Sequence, residues 1–186
     1  MKIPVFESPV MIDKVLSHLQ NELASKLEWL DYSFGRCQKL VKTMNGSDYI
    51  YPAVYAGQSE YVDVLPSEEY GNRTFFVIDD PQTIEIEGMR YKRFSCPFSF
   101  VCWYDITTIL NNRSQRNTEA VKRQIVGVLT NCTMPKGARL ELKRIYENPE
   151  NIFRGFSIRE INTQYMMHPY AGIRIEGIIY YVEQCD

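Results

Sequence analysis

Residues Tyr91–Ile106 read YKRFSCPFSFVCWYDI. Phe94, Cys96, Phe98, Phe100, Cys102 and Tyr104 fall on every second position, with Ser95, Pro97, Ser99 and Asp105 between them. Side chains alternate across a strand, so six apolar groups share one face. Val101 and Trp103 lie on the other face, which is therefore not given over to water. A strand of this kind is covered on both sides, by its own domain or by another subunit. Unbroken, the run spans ~50 Å at the usual strand rise. Pro97 has no amide hydrogen, which predicts a bend, an interruption or an edge at that point.

The same logic orders the flanking chain. Ser8-Pro9 suits a helix start, and Ile12, Val15, Leu16, Leu19, Leu23, Leu27 and Leu30 form one apolar stripe behind it. Gln38–Met44 and Tyr49–Tyr55 read as a hairpin around Asn45-Gly46, with Pro52 marking its second strand as an edge or a bulge. Tyr61–Leu65, Thr74–Ile78 and, more weakly, Thr83–Glu87 follow as strands. Asn117 or Ser114 caps a second helix, Thr118–Thr130, carrying Val121, Ile125, Val128 and Leu129. Ala138, Leu140 and Leu142 alternate with charged residues in a half-exposed strand. Asn148–Gly155 reads as a loop or a single helical turn. The last strand, Ala171–Val182, is apolar on both faces at Ile178, Ile179, Tyr180 and Tyr181. The order α-β-β-β-(β)-β-α-β-β predicts an α+β fold. Its expected form is a mainly antiparallel, twisted sheet with two amphipathic helices packed on one face, in a single domain over residues 1–186.

Composition bounds the function. The chain has 186 residues, 45% hydrophobic and 24% charged, which suits one domain with its own core. A net charge of −2 argues against a protein built mainly for phosphate backbones. With 13 Tyr, nine Phe and two Trp, aromatic residues are available for interfaces as well as for the core. The five cysteines include no CxxC pair. Cys96 and Cys102, about 20 Å apart along a strand, lie beyond disulfide reach, which predicts a reduced, intracellular chain. No apolar run reaches membrane-spanning length and no signal peptide is evident, so a soluble, cytosolic product is expected.

Candidate sites are few. Asp79 and Asp80, with Glu85 and Glu87 nearby, form the best acidic cluster and suit Mg²⁺-dependent phosphoryl chemistry. Asp-Asp-Pro is equally ordinary turn chemistry. His168 before Pro169 and His18 beside the helical stripe are the only histidines, leaving no zinc set. Phosphate-binding and nucleophile-elbow motifs are absent. Arg113, Arg116, Lys122 and Arg123 cluster at the start of the second helix, where positive charge opposes the macrodipole. Nucleic acid, or an acidic patch on a second copy such as Glu68-Glu69 or Asp79-Asp80, would neutralise it. No cofactor or metal is expected.

The C-terminal stretch Pro169–Tyr181, PYAGIRIEGIIYY, taken with the amphipathic first helix, the strand YIYPAVY and the late second helix, resembles bacteriophage tail-terminator or tail-completion proteins. That resemblance implies a structural head–tail connector subunit, not an enzyme. It also implies a homo-oligomeric ring at the head–tail junction of the virion, assembled in the bacterial cytoplasm. Its partners would be neighbouring portal, connector or tail proteins, with DNA passing through the ring without sequence-specific binding, and no membrane. Val101, Trp103, Arg113, Arg116, Glu68, Glu69, Asp79 and Asp80 are the expected oligomer or partner contacts. Two other classes compete: a phosphoryl-transfer or nucleotide-processing enzyme using Asp79, Asp80 and His168, and a small nucleic-acid-binding module centred on Arg113–Arg123.

Overall fold

The computed structural model describes residue 4 and residues 7–44, 46–58, 60–87, 91–110, 117–159 and 161–184. Eight strands form one open, mixed but mostly antiparallel sheet: β1 Tyr32–Met44, β2 Ser47–Gly57, β3 Glu60–Asp63, β4 Arg73–Ile78, β5 Thr83–Glu87, β6 Tyr91–Asp105, β7 Arg139–Tyr146 and β8 Tyr170–Gln184. Their spatial order is β3-β2-β1-β4-β6-β8-β7, with β5 also paired to β6. Two substantial helices, α1 Met11–Lys26 and α3 Thr118–Asn131, pack on it, and short turns form α2 Ile106–Ile109 and α4 Pro149–Ile152. The expected α+β class and the placement of both helices on one face are observed.

β6 is the spine. Its 15 residues pair with β8 without interruption from Tyr91↔Gln184 to Asp105↔Tyr170. On its other side β5 pairs with Tyr91–Ser95 and β4 with Phe98–Trp103, so the two lie end to end. Pro97 falls in the gap between them, where its carbonyl accepts the Asp79 amide at 2.9 Å. The strand therefore stays continuous: its proline stands where the neighbour changes and no amide donor is required. Pro52 is tolerated in a similar way. β2 is an inner strand, neither an edge nor bulged at the proline, but its ladder with β3 ends at Ala53↔Asp63, one residue short of Pro52.

The first face of the sheet holds the helices. Val15, Leu16, Leu19 and Leu23 of α1 and Val121, Ile125 and Leu129 of α3 cover Phe98, Phe100 and Cys102 of β6 and Ile173, Ile175 and Ile179 of β8, all buried. Each such side chain contributes roughly 1.5–3 kcal/mol on burial, against about 1 kcal/mol for an N-cap. The stripe, not Ser8, accordingly sets the helix start. Val10 occupies the N-cap position with no side-chain hydrogen bond, and α1 begins at Met11. Leu27 and Leu30 are buried beyond the helix end. Asn117 caps α3 as expected, accepting the Ala120 amide at 3.2 Å, while Ser114 lies outside the described residues.

The second face has its own core. β1 runs parallel to β4 through Arg36↔Phe76, then leaves it and pairs with β2 from Cys37↔Val54 to Met44↔Ser47. The loop of that hairpin is the expected two-residue turn. Gly46 has φ 77°, and Asn45 lies outside the described residues. This arm and the segment around α4 bury Phe75 and Val77 of β4 together with Val101 and Trp103. The strand β1 starts six residues earlier than the alternation at Gln38–Met44 implied, because Tyr32–Arg36 is claimed by β4, a parallel pairing with no local signal.

Candidate interaction face

Val101 and Trp103 are 0% and 2% exposed. Trp103 packs its ring against Phe153 at 5.5 Å and parallel to Tyr170 at 6.5 Å. Of the two covers expected for them, the chain supplies its own. Neither residue presents a surface to a neighbour, which corrects their assignment as partner contacts. The apolar groups left uncovered lie at the other end of the same strands.

Residues directly opposite in a ladder share a face, so the register maps the second face beyond Ser99. It carries Arg93 opposite Glu85 and Val182, Ser95 opposite Thr83 and Tyr180, and Ile178 opposite Pro97 and Glu141. Neither the arm nor the α4 segment reaches this half. A depression of about 400 Å³ opens there, lined among others by Thr83, Glu85, Arg93, Ser95, Arg139 and Tyr180. The Arg139 guanidinium lies 4.3 Å from the Tyr180 ring centroid, and the Tyr180 hydroxyl donates to Glu141 at 3.1 Å. Cation–π contact on one face and a hydrogen bond at the tip hold the ring in a fixed pose. The first face is also bare beyond the helices, with Ile84 and Ile86 53% and 71% exposed, and on the second face Tyr91, two residues before Arg93, is 48% exposed. Large apolar groups grouped at one end of a sheet are what a partner-binding surface presents.

A polar cleft marks the other asymmetry. Where β1 diverges from β4, a space of about 680 Å³ opens between Arg36, Lys39, Tyr61, Asp79, Asp80 and Asp13. Asp79 faces inward: its carboxylate accepts from Ser99 Oγ at 2.8 Å and lies 3.8 Å from Arg174 Nη2. Arg174 is itself buried and donates to Ser99 Oγ, Glu176 and the carbonyls of Ile152 and Arg154. Asp79 thus serves the interior, and only Asp80 of the pair is exposed. Asp13 has its carboxyl pushed up by burial, with Arg36 opposing, and one of its buried oxygens has no hydrogen-bond partner. Burial pushes the Cys37 thiol up to about 12, so it stays protonated and is a poor nucleophile.

The remaining candidates are dispersed. Tyr170, two residues after His168, pairs with Asp105, whereas Asp79 binds Pro97. Eight residues of β6 separate these places, roughly 25 Å, so Asp79, Asp80 and His168 form no common site. His18 is half-buried on α1 with a buried Nε2 lacking a partner. Among the described residues no three His, Cys, Asp or Glu side chains are grouped as a metal ion needs. Glu69 accepts from the Tyr70 hydroxyl at 3.0 Å, and Glu68 lies beside Tyr165. Arg113 and Arg116 lie outside the described residues. Lys122 is held by Glu119 and by Glu147 at 3.2 Å, which raises its pKa, so its charge is met within the chain. Among the described residues no helix is long and apolar enough to cross a membrane.

The buried arginines had no legible signal. In AGIRIEGII the alternation puts Arg174 and Glu176 opposite the isoleucines, which reads as a solvent face. Only the α4 cover turns that face into an interior. No protein-family model matches the chain, and no curated protein matches it by sequence.

Proposed function

We propose that this chain is a structural assembly subunit of the phage head–tail connector or tail-terminator kind, which forms a homo-oligomeric ring and contacts portal or tail proteins. The observation that carries the reading is the uncovered end of the sheet formed by β5, the first third of β6 and the last third of β8. Both faces there carry exposed apolar groups, Ile84 and Ile86 on the first and Tyr91 and Val182 beside Arg93 on the second, while the other end of β6 and β8 is sealed on both sides. Subunits that function alone bury such surface within themselves, and subunits that assemble bury it against one another. On this reading DNA passes through the ring and meets no sequence-specific site, and the assembly lies at the head–tail junction of a virion. Light scattering and negative-stain imaging of the purified chain test it. A cyclic oligomer, or assembly onto a co-purified connector ring, is expected. A strict monomer that joins no portal or tail component would end the reading.

A further inference from the structure

The two terminal strands of the open sheet differ in charge. β3, at one extremity, reads EYVD: Glu60 and Asp63 are acidic, and Asp63 is met by Lys42 at 3.4 Å, so the edge is negative chiefly through Glu60. β7, at the other, reads RLELKRIY: Arg139, Lys143 and Arg144 against Glu141 give it +2. Each also exposes one large apolar side chain, Tyr61 at 44% and Ile145 at 45%. An open sheet leaves a row of unpaired backbone donors and acceptors along both outer strands.

We propose that β7 of one copy pairs with β3 of the next, so that the sheet continues from subunit to subunit. This rests on the reading of the chain as a ring subunit and names the contact that closes the ring. The charges select it. A β7–β7 contact sets positive edge against positive, and a β3–β3 contact sets negative against negative, so both two-fold pairings are disfavoured. Of these three pairings only the β7–β3 one attracts, and a contact between two different patches is heterologous, which closes into rings when the rotation permits. The contact is short, because β3 has only four residues. A four-residue ladder falls short of a standard interface. Each copy is therefore held at both edges in the ring, and a lone dimer is weak.

Charge reversal with mixing tests the proposal by native mass spectrometry of the full chain at low and moderate salt. Lys143→Glu with Arg144→Glu alters one edge. Glu60→Lys alters the other and spares Asp63, whose carboxylate accepts the Leu65 amide at 3.0 Å. All three residues are exposed, so unchanged circular dichroism and melting are expected. Each variant alone should weaken self-association on the order of tenfold or more and lose the ring. Mixed one to one, the two retain a wild-type junction and should associate, more weakly than the wild type, at concentrations where neither does alone. Variants that assemble as the wild type does, or a mixture that restores nothing, overturn the edge pairing and leave the ring reading standing. A wild-type chain that never assembles removes both.

Discussion

Arg174 on β8 donates from Nη2 to Ser99 Oγ on β6 at 2.6 Å, in the interior of the second face. Ser99 in turn donates to Asp79, and the guanidinium also binds Glu176 at 3.2 Å and two carbonyls of the α4 segment. One side chain thereby ties β4, β6, β8 and the covering loop together. Its charge is compensated by two carboxylates, which is the condition for a buried ion to be tolerated.

Replacing Arg174 with Met removes the cation beside Asp79 and the donors to the Ile152 and Arg154 carbonyls, while Glu176 keeps Arg154. The expected loss is about 2–3 kcal/mol in chemical denaturation. Lys does not rescue it, since one ammonium cannot satisfy acceptors spread over four elements. Arg73 is the contrast. It is just as buried, its pKa is pulled down to about 10 by that burial, and its Nε has no hydrogen-bond partner. Among the described residues its hydrogen bonds go to Ser67, at 3.1 and 3.4 Å, and its guanidinium lies 5.8 Å from the Tyr70 ring centroid. Arg73→Met should therefore stay within about 1 kcal/mol of wild type. Equal losses for the two arginines would contradict this account.

Three glycines should respond with different signs. A Cβ at Gly177 would lie 2.1 Å from the Glu141 carbonyl oxygen, and one at Gly172 would lie 2.5 Å from the Trp103 ring. Backbone cannot yield as a flexible side chain can, so Gly177→Ala should cost several kcal/mol, on the order of 3, as overpacked sites do. Gly172→Ala must displace a packed indole and also meets the Cys102 carbonyl oxygen at 2.9 Å, so it should cost about 1–3 kcal/mol. At Gly127, inside α3, a Cβ meets nothing within 4 Å. Gly127→Ala should stabilise the chain by about 0.5–1 kcal/mol. Thermal melting of the three variants measures the order.

Stability should fall in alkali. Burial raises the Cys37 thiol from 9.0 to about 12 and, with the Glu69 hydrogen bond, the Tyr70 hydroxyl from 10.0 to about 12. Cys102, Tyr104 and Tyr181 move upward for the same first cause. The folded state thus holds protons that the unfolded chain releases first. Their contribution is complete below about pH 9 and is lost as pH rises towards 12. Arg73, shifted down, works in the opposite direction as a single group. Melting temperature should decline above pH 9, and at pH 8 a thiol reagent should modify half-buried Cys132 well before Cys37, Cys96 or Cys102.

The uncovered sheet end can be tested apart from its edges. Val182→Glu together with Ile86→Lys places charge on exposed positions of β8 and β5. Folding stability should change by less than about 0.5 kcal/mol, as at other surface sites. Size-exclusion chromatography with light scattering should show loss of assembly. Assembly at wild-type concentrations would show that this end is not a contact.

Much of the secondary structure was legible because period and local chemistry coincide. The alternation in Tyr91–Ile106, the stripe from Ile12 to Leu23, and Asn117 as a cap each follow from contacts within a few residues. They placed both helices on one face. What lay beyond them was non-local. The parallel union of Tyr32–Arg36 with β4 is one example, and the place of Pro97 opposite the change from β5 to β4 is another.

The sequence by itself determined that the strands around Val101, Trp103, Ile178 and Tyr180 have two apolar faces. It could not assign the covers, because alternation states which residues share a face and not what comes to lie over it. The tertiary structure decided that Val101 and Trp103 are sealed by the chain's own arm and α4 segment, while Ile84, Ile86, Tyr91 and Val182 at the other end stay exposed. The reason is reach. β6 and β8 are each 15 residues long, and the arm diverging from β4 covers only the half of the second face that β4 itself flanks.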